Sequence, residues 1–360
     1  MVARGVRNLR PVSLEPRERF NVFSGDNGQG KTNLLEAIFV IAALRSFRTS
    51  KLADLIAFGG ERAKLGARVV KDDLTRVYEV EIAAGSRKVT LDGKAARPLA
   101  RYFGGFNVVV FTPEDLGLPR ASPADRRRFL DRGVFNLRPD YLATAQDYER
   151  VLKTRNTVLR QVGDGAIDRR RAEDMLAVYD LQLAQHGAKV IAARQAFVAA
   201  VRGELTTAFS SITRTGLAVE ARYVVRSAAE TPDAIASALV AARMKDFATR
   251  ATQVGPHRDD LVFELEGHEA GAYASQGQLR AIMLAWKTAE LQVLGRAHGD
   301  LPILLLDDVS SELDPQRNEH LFEHLATLAG QCFITTTHPG HVLLRQHRAD
   351  YRISNGEILQ

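Results

Sequence analysis

Residues 24–41 read SGDNGQGKTNLLEAIFVI, and within them Gly25 to Thr32 fit the spacing G-x-x-x-x-G-K-[ST]. Glycines at 25, 28 and 30 let backbone N–H groups turn toward an anion that a Cβ would obstruct, and the N-terminus of the following helix adds positive potential. The flanks supply the required setting. RFNVFSG (19–25) reads as a short strand, and from Lys31 onward Leu34, Leu35, Ile38, Ile41 and Ala42 recur at helical spacing. The stretch predicts a nucleoside triphosphate site. The backbone of Gly25, Asp26, Asn27, Gly28, Gln29 and Gly30 would surround the phosphates, Lys31 would bridge the β and γ phosphates, and Thr32 would place its hydroxyl on Mg²⁺.

Kinases, GTPases and motor ATPases share such a loop, so the rest of the chain has to narrow the class. LPILLLDDVSSELDPQR (301–317) is an apolar strand that delivers Asp307 and Asp308 at its C-terminal end, where α/β sheets place their chemistry. Asp307 is expected to organise Mg²⁺, directly or through water, and Asp308 to act as general base or water-positioner against the γ-phosphate. In YASQGQLRAIMLAWKTAEL (273–291), Ser275, Gln276, Gly277 and Gln278 precede a helix expected from about Leu279. A helix N-terminus behind Ser and Gly suits a phosphate. His338 follows the apolar run CFITTT (332–337).

The bounds agree with an intracellular globular ATPase. The chain has 360 residues, 45% hydrophobic and 26% charged, enough for two lobes. Neither a secretory h-region nor a membrane-spanning apolar window is present, so the expected location is the cytoplasm, with no membrane partner. Cys332, the single cysteine, reads as a buried strand residue. The net charge of +6 favours a polyanionic partner. Residues 120–171 hold 13 Arg or Lys against 7 Asp or Glu, so the excess sits there. Arg126, Arg127 and Arg128 are candidates for DNA phosphates, with Arg169 to Arg171 a second group; DRRRFLD (125–131) could equally brace the structure. His320 and His324 sit four apart on an expected helix, but HLFEH lacks the glutamate of H-E-x-x-H, so a solvated face is expected and no metal.

Along the chain, RVYEVEI (76–82) and RKVTLDG (87–93) alternate like antiparallel strands, the second closing on an Asp-Gly turn. From about residue 140 to 212 the pattern becomes long amphipathic helices separated at GDG (163–165). Thr231 and Pro232 open a further helix as N-cap and first residue. Strand and helix alternation returns after VGPHRDDLVFEL (254–265). The expected organisation is an α/β ATPase lobe in two parts, 1–119 and 251–360, interrupted by a mainly helical arm, 120–250.

The SQGQ segment resembles the signature motif of ABC-type ATPases in the form used by SMC-like repair proteins. That resemblance implies a phosphate-loop ATPase head with an inserted helical arm. It also implies that Ser275 to Gln278 contact the γ-phosphate held by a second subunit, so that ATP drives a homodimer. SSELD (310–314) resembles the D-loop and His338 the switch histidine, while TPEDL (112–116) lacks the glutamine of a Q-loop. NGQGKTNLLEAI, FTPEDL, SPADRRRFLD, GPHRDDL, SQGQLR and LLLDDVSSELD, in that order, are similar to the RecF family of bacterial recombination-repair proteins. This similarity spans nearly the whole chain. It implies an ATP-controlled clamp on gapped DNA or single-strand/duplex junctions, acting with RecR and RecO and indirectly RecA in replication-linked repair. Asp308 stands where typical ABC ATPases have glutamate, which implies slow hydrolysis, stimulated by DNA. A transporter ATPase subunit, or a scaffold that binds without hydrolysing, are the rival readings.

Overall fold

The computed structural model describes residues 1–71, 73–97, 99–103, 105–308, 315–328 and 330–359. They pack as two compact units, one of residues 1–116, 208–215 and 280–360, the other of residues 117–207 and 216–279.

The first unit begins with β1 (Val2–Arg4) and β2 (Val12–Ser13), then β3 (Phe20–Ser24), which leads through the glycine-rich loop into α1 (Lys31–Ala43). Strands β4 (Arg62–Lys71), β5 (Leu74–Ala83), β6 (Ser86–Leu91) and β7 (Lys94–Ala95) follow, then β8 (Val108–Phe111) and the short helix α2 (Pro113–Leu116). An antiparallel sheet runs β2-β1-β4-β5-β6-β7. Its β6–β7 turn is the expected Asp92-Gly93 pair, both at positive φ as a two-residue hairpin demands.

The second unit opens with α3 (Pro123–Leu137), capped by Ser122, followed by α4 (Tyr141–Gly163) and α5 (Arg169–Thr213). After them come β9 (Val219–Val224), α6 (Pro232–Thr249), β10 (Asp260–Leu265), β11 (His268–Glu269) and the one-turn α7 (Ala270–Tyr273); α8 (Gln276–His298) starts in this unit, and from Arg280 onward its residues belong to the first. Thr231 caps α6 as expected, accepting from the Ala234 N–H. Arg155, fully buried on α4, bonds Asp180 of α5 at 2.7 Å, Asp246 of α6 at 2.7 Å and the Thr252 hydroxyl at 2.8 Å. Three helices thus share one guanidinium. The inserted part, expected to end at residue 250, is carried by packing to Leu279, and 208–215 return to the first unit. The cause is pairing the sequence does not display: β10 is bound along its whole length to β9, and α3 packs on β10.

The chain then completes the first unit with β12 (Ile303–Asp307), α9 (Pro315–Leu328), β13 (Cys332–Thr336), β14 (Arg348–Ser354) and β15 (Glu357–Leu359). A second sheet runs β15-β14-β3-β13-β12-β8, parallel except at β14–β15. Val108–Phe111 and Leu304–Leu306 are buried throughout, the unbroken apolar runs of strands covered on both faces. Helix α1 packs against strands of both sheets, which is why every residue from Leu34 to Ile41 is buried, not one stripe alone. Glu36 tolerates that burial because Arg7 bonds it at 2.7 and 2.9 Å and Ser46 at 2.5 Å.

Candidate nucleotide site

Gly30 closes the phosphate loop at φ 108°, a left-handed conformation that a side chain would strain. At Gly25 a Cβ would lie 2.3 Å from the Ile353 carbonyl oxygen, so the loop can cross β14 only without one. Neighbouring segments fix the rest. The Gln29 carbonyl accepts from Gly356 N–H at 3.0 Å, the Gln29 Oε1 accepts from Asn355 N–H at 2.5 Å, and Asn8 Nδ2 donates to the Gly28 carbonyl at 2.8 Å. Lys31 is buried, its Nζ donating to the carbonyls of Gly25 at 2.6 Å and Asp26 at 2.9 Å. The ammonium is therefore held inside the loop that would surround an anion.

Parallel pairing brings the ends of β3, β12 and β13 together, and there Thr32 Oγ1 donates to Asp307 Oδ1 at 2.9 Å. The sequence separates these residues by 275 positions, and the fold joins them. Thr335 completes the group: its hydroxyl donates to Asp307 Oδ1 at 2.7 Å and accepts from the Asp308 N–H at 3.1 Å. Burial pushes the Asp307 carboxyl above its usual range; bonds from Thr335 and Thr32 oppose this, while the charges of Asp308 and Glu114 add to it. A buried carboxylate beside a hydroxyl, short of positive charge, suits a divalent cation. Mg²⁺ takes such hard oxygen donors and completes its shell with phosphate and water. Asp308 holds a left-handed backbone at φ 48°, costly for a non-glycine residue and fixed here by its N–H bonds to the Thr335 hydroxyl and carbonyl.

Thr335 and Glu114 were missed by sequence reasoning. The threonine-rich strand end was visible, but its alignment with Asp307 depends on register. His338 lies exposed just beyond β13, its N–H on Thr336 Oγ1 at 3.2 Å and its ring 5.6 Å from that of His341. At the expected Q-loop position, the Thr112 N–H donates to Asp115 Oδ2 at 3.2 Å, and both residues are buried. The expected D-loop, Ser310 to Asp314, lies outside the described residues.

In the second unit, Ser275 is the N-cap of α8, which begins at Gln276, one turn earlier than the sequence suggested. A reciprocal capping box sets that start: Gln278 N–H donates to Ser275 Oγ at 3.2 Å, and Ser275 N–H to Gln278 Oε1 at 2.8 Å. Gln276, Gly277 and Gln278 are thus the first helical turn, not a loop before it.

The arginine expectation needs correcting. Arg126 is buried and grips Asp260 with two bonds, 2.8 and 2.6 Å, so it is not offered to DNA. Arg127 donates to the Asp259 carbonyl at 2.8 Å, and only Arg128 of the three is exposed, beside Asp125. A run of arginines carries no mark of which members pair inside. His320, expected on a solvated face, is buried, with Nδ1 3.3 Å from Glu323.

A phosphate loop wired to a strand-end aspartate, in one chain with a helix-capping serine motif, defines a class. The chain belongs to the RecF/RecN/SMC N terminal domain family, which matches residues 1–355. Within that class it is a member of the RecF family of DNA replication and repair proteins. It is 42% identical over 342 residues to the RecF protein of Myxococcus xanthus (strain DK1622), covering 92% of this chain and 88% of the relative. To that of Geobacter sp. (strain M21) it is 40% identical over 361 residues, covering 98% and 97%. The structure of the recombination mediator protein RecF with ATP, in the RecFOR pathway, is similar with a TM-score of 0.88 at 29% identity, covering 99% of this chain and 95% of that one. An Smc head bound to the C-winged helix domain of ScpA, at TM-score 0.55, 14% identity and coverage of 99% and 94%, shares the fold alone.

Proposed function

We propose that this RecF-family chain is an ATP-controlled DNA clamp of the cytoplasm. The observation that carries the reading is the Thr32–Asp307 bond, which joins the phosphate loop to the acidic strand end as a magnesium nucleotide site requires. The loop backbone from Gly25 to Gly30 binds the phosphates, Lys31 neutralises the β and γ oxygens, and Thr32 and Asp307 hold Mg²⁺. Bound there, Mg²⁺ supplies charge neutralisation between the phosphates. Asp308 orients the attacking water and takes its proton, and His338 lies beyond the next strand to contact the γ-phosphate. Ser275 to Gln278 of a second copy complete the site, so ATP closes a homodimer and slow, DNA-stimulated hydrolysis opens it.

The similar RecF structure is described within the RecFOR pathway, which supports RecO and RecR as partners and RecA loading on gapped or junction DNA as the outcome. Family membership leaves no case for the transporter reading, and among the described residues no helix is long and apolar enough to cross a membrane. The test is binding of labelled gapped duplex with ATP, without it, and by the Lys31→Met protein. Binding that needs both ATP and Lys31 is expected; binding indifferent to nucleotide would refute the clamp.

A further inference from the structure

The phosphate contact of Ser275 depends on where its segment is held, and one side chain holds it. Arg120 donates from Nε to the Gly271 carbonyl at 3.0 Å and from Nη2 to the Ala274 carbonyl at 2.9 Å. Those carbonyls belong to α7 and to the residue directly before Ser275, and one planar guanidinium spans both. The backbones are also pressed together. A Cβ on Gly271 would stand 2.4 Å from the Pro119 carbonyl oxygen, so the 118–120 turn and α7 touch main chain to main chain.

The turn that carries Arg120 is itself fixed from behind. Arg126 donates to the Ala121 carbonyl at 2.7 Å while its other nitrogens are committed to Asp260. Asp260 begins β10, and α7 packs on β10 as well. The series Asp260, Arg126, Ala121, Arg120, Ala274 therefore ends one residue short of the α8 cap. Ser275 has its own capping box to orient the hydroxyl relative to α8, but nothing in that box fixes where the cap stands relative to α7. Arg120 does that.

We propose that Arg120 is a positioning residue for the Ser275 motif, holding α7 and Ala274 so that Ser275 meets the γ-phosphate of a nucleotide bound by a second copy of this chain. The proposal rests on the reading of Ser275 given above. Arg120 spends its hydrogen bonds on Gly271 and Ala274, so its loss should act on dimer closure and not on nucleotide capture.

The experiment measures two quantities for the parent, Arg120→Ala, Arg120→Lys, Ser275→Ala and the double Arg120→Ala/Ser275→Ala proteins. One is the affinity for a fluorescent ATP analogue; the other is the dimerisation constant with ATPγS, by sedimentation. Arg120→Ala is expected to bind the analogue within about twofold of the parent yet dimerise about tenfold or more weakly, the scale of losing charged hydrogen bonds. Arg120→Lys should fall between, since an ammonium cannot span both carbonyls. The double variant should dimerise no worse than the weaker single variant, because both changes disable one contact. Parent-like dimerisation by Arg120→Ala, or losses that add in the double variant, would overturn the proposal. Should Arg120→Ala fail to fold, the Lys variant carries the same comparison. If ATPγS fails to dimerise the parent, or Ser275→Ala dimerises as well as the parent, the γ-phosphate reading itself fails and takes the proposal with it; these outcomes are read in proteins that retain Arg120.

Discussion

Asp307 and Asp308 are adjacent in sequence and opposite in circumstance. The first is buried and receives the Thr32 and Thr335 hydroxyls, while the second turns out of the strand at φ 48°. The strand ends at Asp307 and the left-handed turn at Asp308 redirects the chain, which is why two neighbouring carboxylates can hold different posts. Asp308→Asn is expected to cut phosphate release by about 100-fold or more, the range of a lost general base, with nucleotide affinity changed by less than about threefold. An unchanged hydrolysis rate would leave Asp308 without a chemical role. At this scale the sequence was most informative: Gly25, Gly30, Lys31, Thr32 and Asp307 were legible because their chemistry demands fixed spacings. Thr335 and Glu114 were not, since they reach Asp307 only through strand pairing.

Among the elements, capping was readable and pairing was not. Ser122, Thr231 and Ser275 cap helices as their side chains allow, Thr231 where the sequence placed a cap, although the start of α8 was placed a turn late. By contrast, arginines destined for burial look like any others: Arg126 became a tie between α3 and β10, and Arg155 one among α4, α5 and α6. The GPHRDDL stretch (255–261) holds a buried histidine whose protonation the fold resists. His257 Nε2 donates to the Thr252 carbonyl at 3.0 Å, leaving Nδ1 to accept from the Tyr148 hydroxyl at 2.6 Å, an arrangement that requires a neutral ring. Burial, helped by the charges of Arg258, Arg127 and Arg155, pushes its pKa down to about 4. Above a pH of about 6.5 the ring is neutral in both folded and unfolded chains, and its contribution is complete. Between there and about pH 4 the unfolded chain binds a proton that the folded one refuses, so stability falls with pH by about 3 kcal/mol. Urea denaturation at about pH 7 and about pH 4.5 should show this loss, and His257→Gln should remove most of it. A ring resonance titrating near pH 6.5 in the native protein would contradict the assignment.

For the whole molecule, composition pointed to a polyanion, and the structure shows how little of that charge is at liberty. Between residues 120 and 171, Arg126, Arg138, Arg150, Arg155 and Arg169 each pair with an acid, as does the exposed Arg128 with Asp125. Arg128, Arg170 and Arg171 are exposed, and they are the better candidates for phosphate contact. Replacing those three with glutamine should flatten the log–log salt dependence of duplex binding by roughly 0.9 for each phosphate no longer neutralised, while Arg126→Gln should unfold the protein more readily without that change of slope. An unaltered slope in the triple variant would move the DNA surface elsewhere. The two-lobed organisation was legible from the change of periodicity, but its boundaries were not, because contacts between distant segments draw them.

A strand residue with no part in the chemistry has a use of its own. Cys332 is the only thiol in the chain, fully buried on β13 between β3 and β12, and burial pushes its pKa up to about 12. A thiolate so rare and so enclosed is chemically silent while the central sheet is intact. The natural sequence is therefore ready for site-directed labelling: a cysteine introduced on the surface can carry a fluorophore or spin label without first removing a native one. In a strong denaturant, the same hidden sulfur becomes a clock, its alkylation timing the moment at which the strands on either side of it come apart.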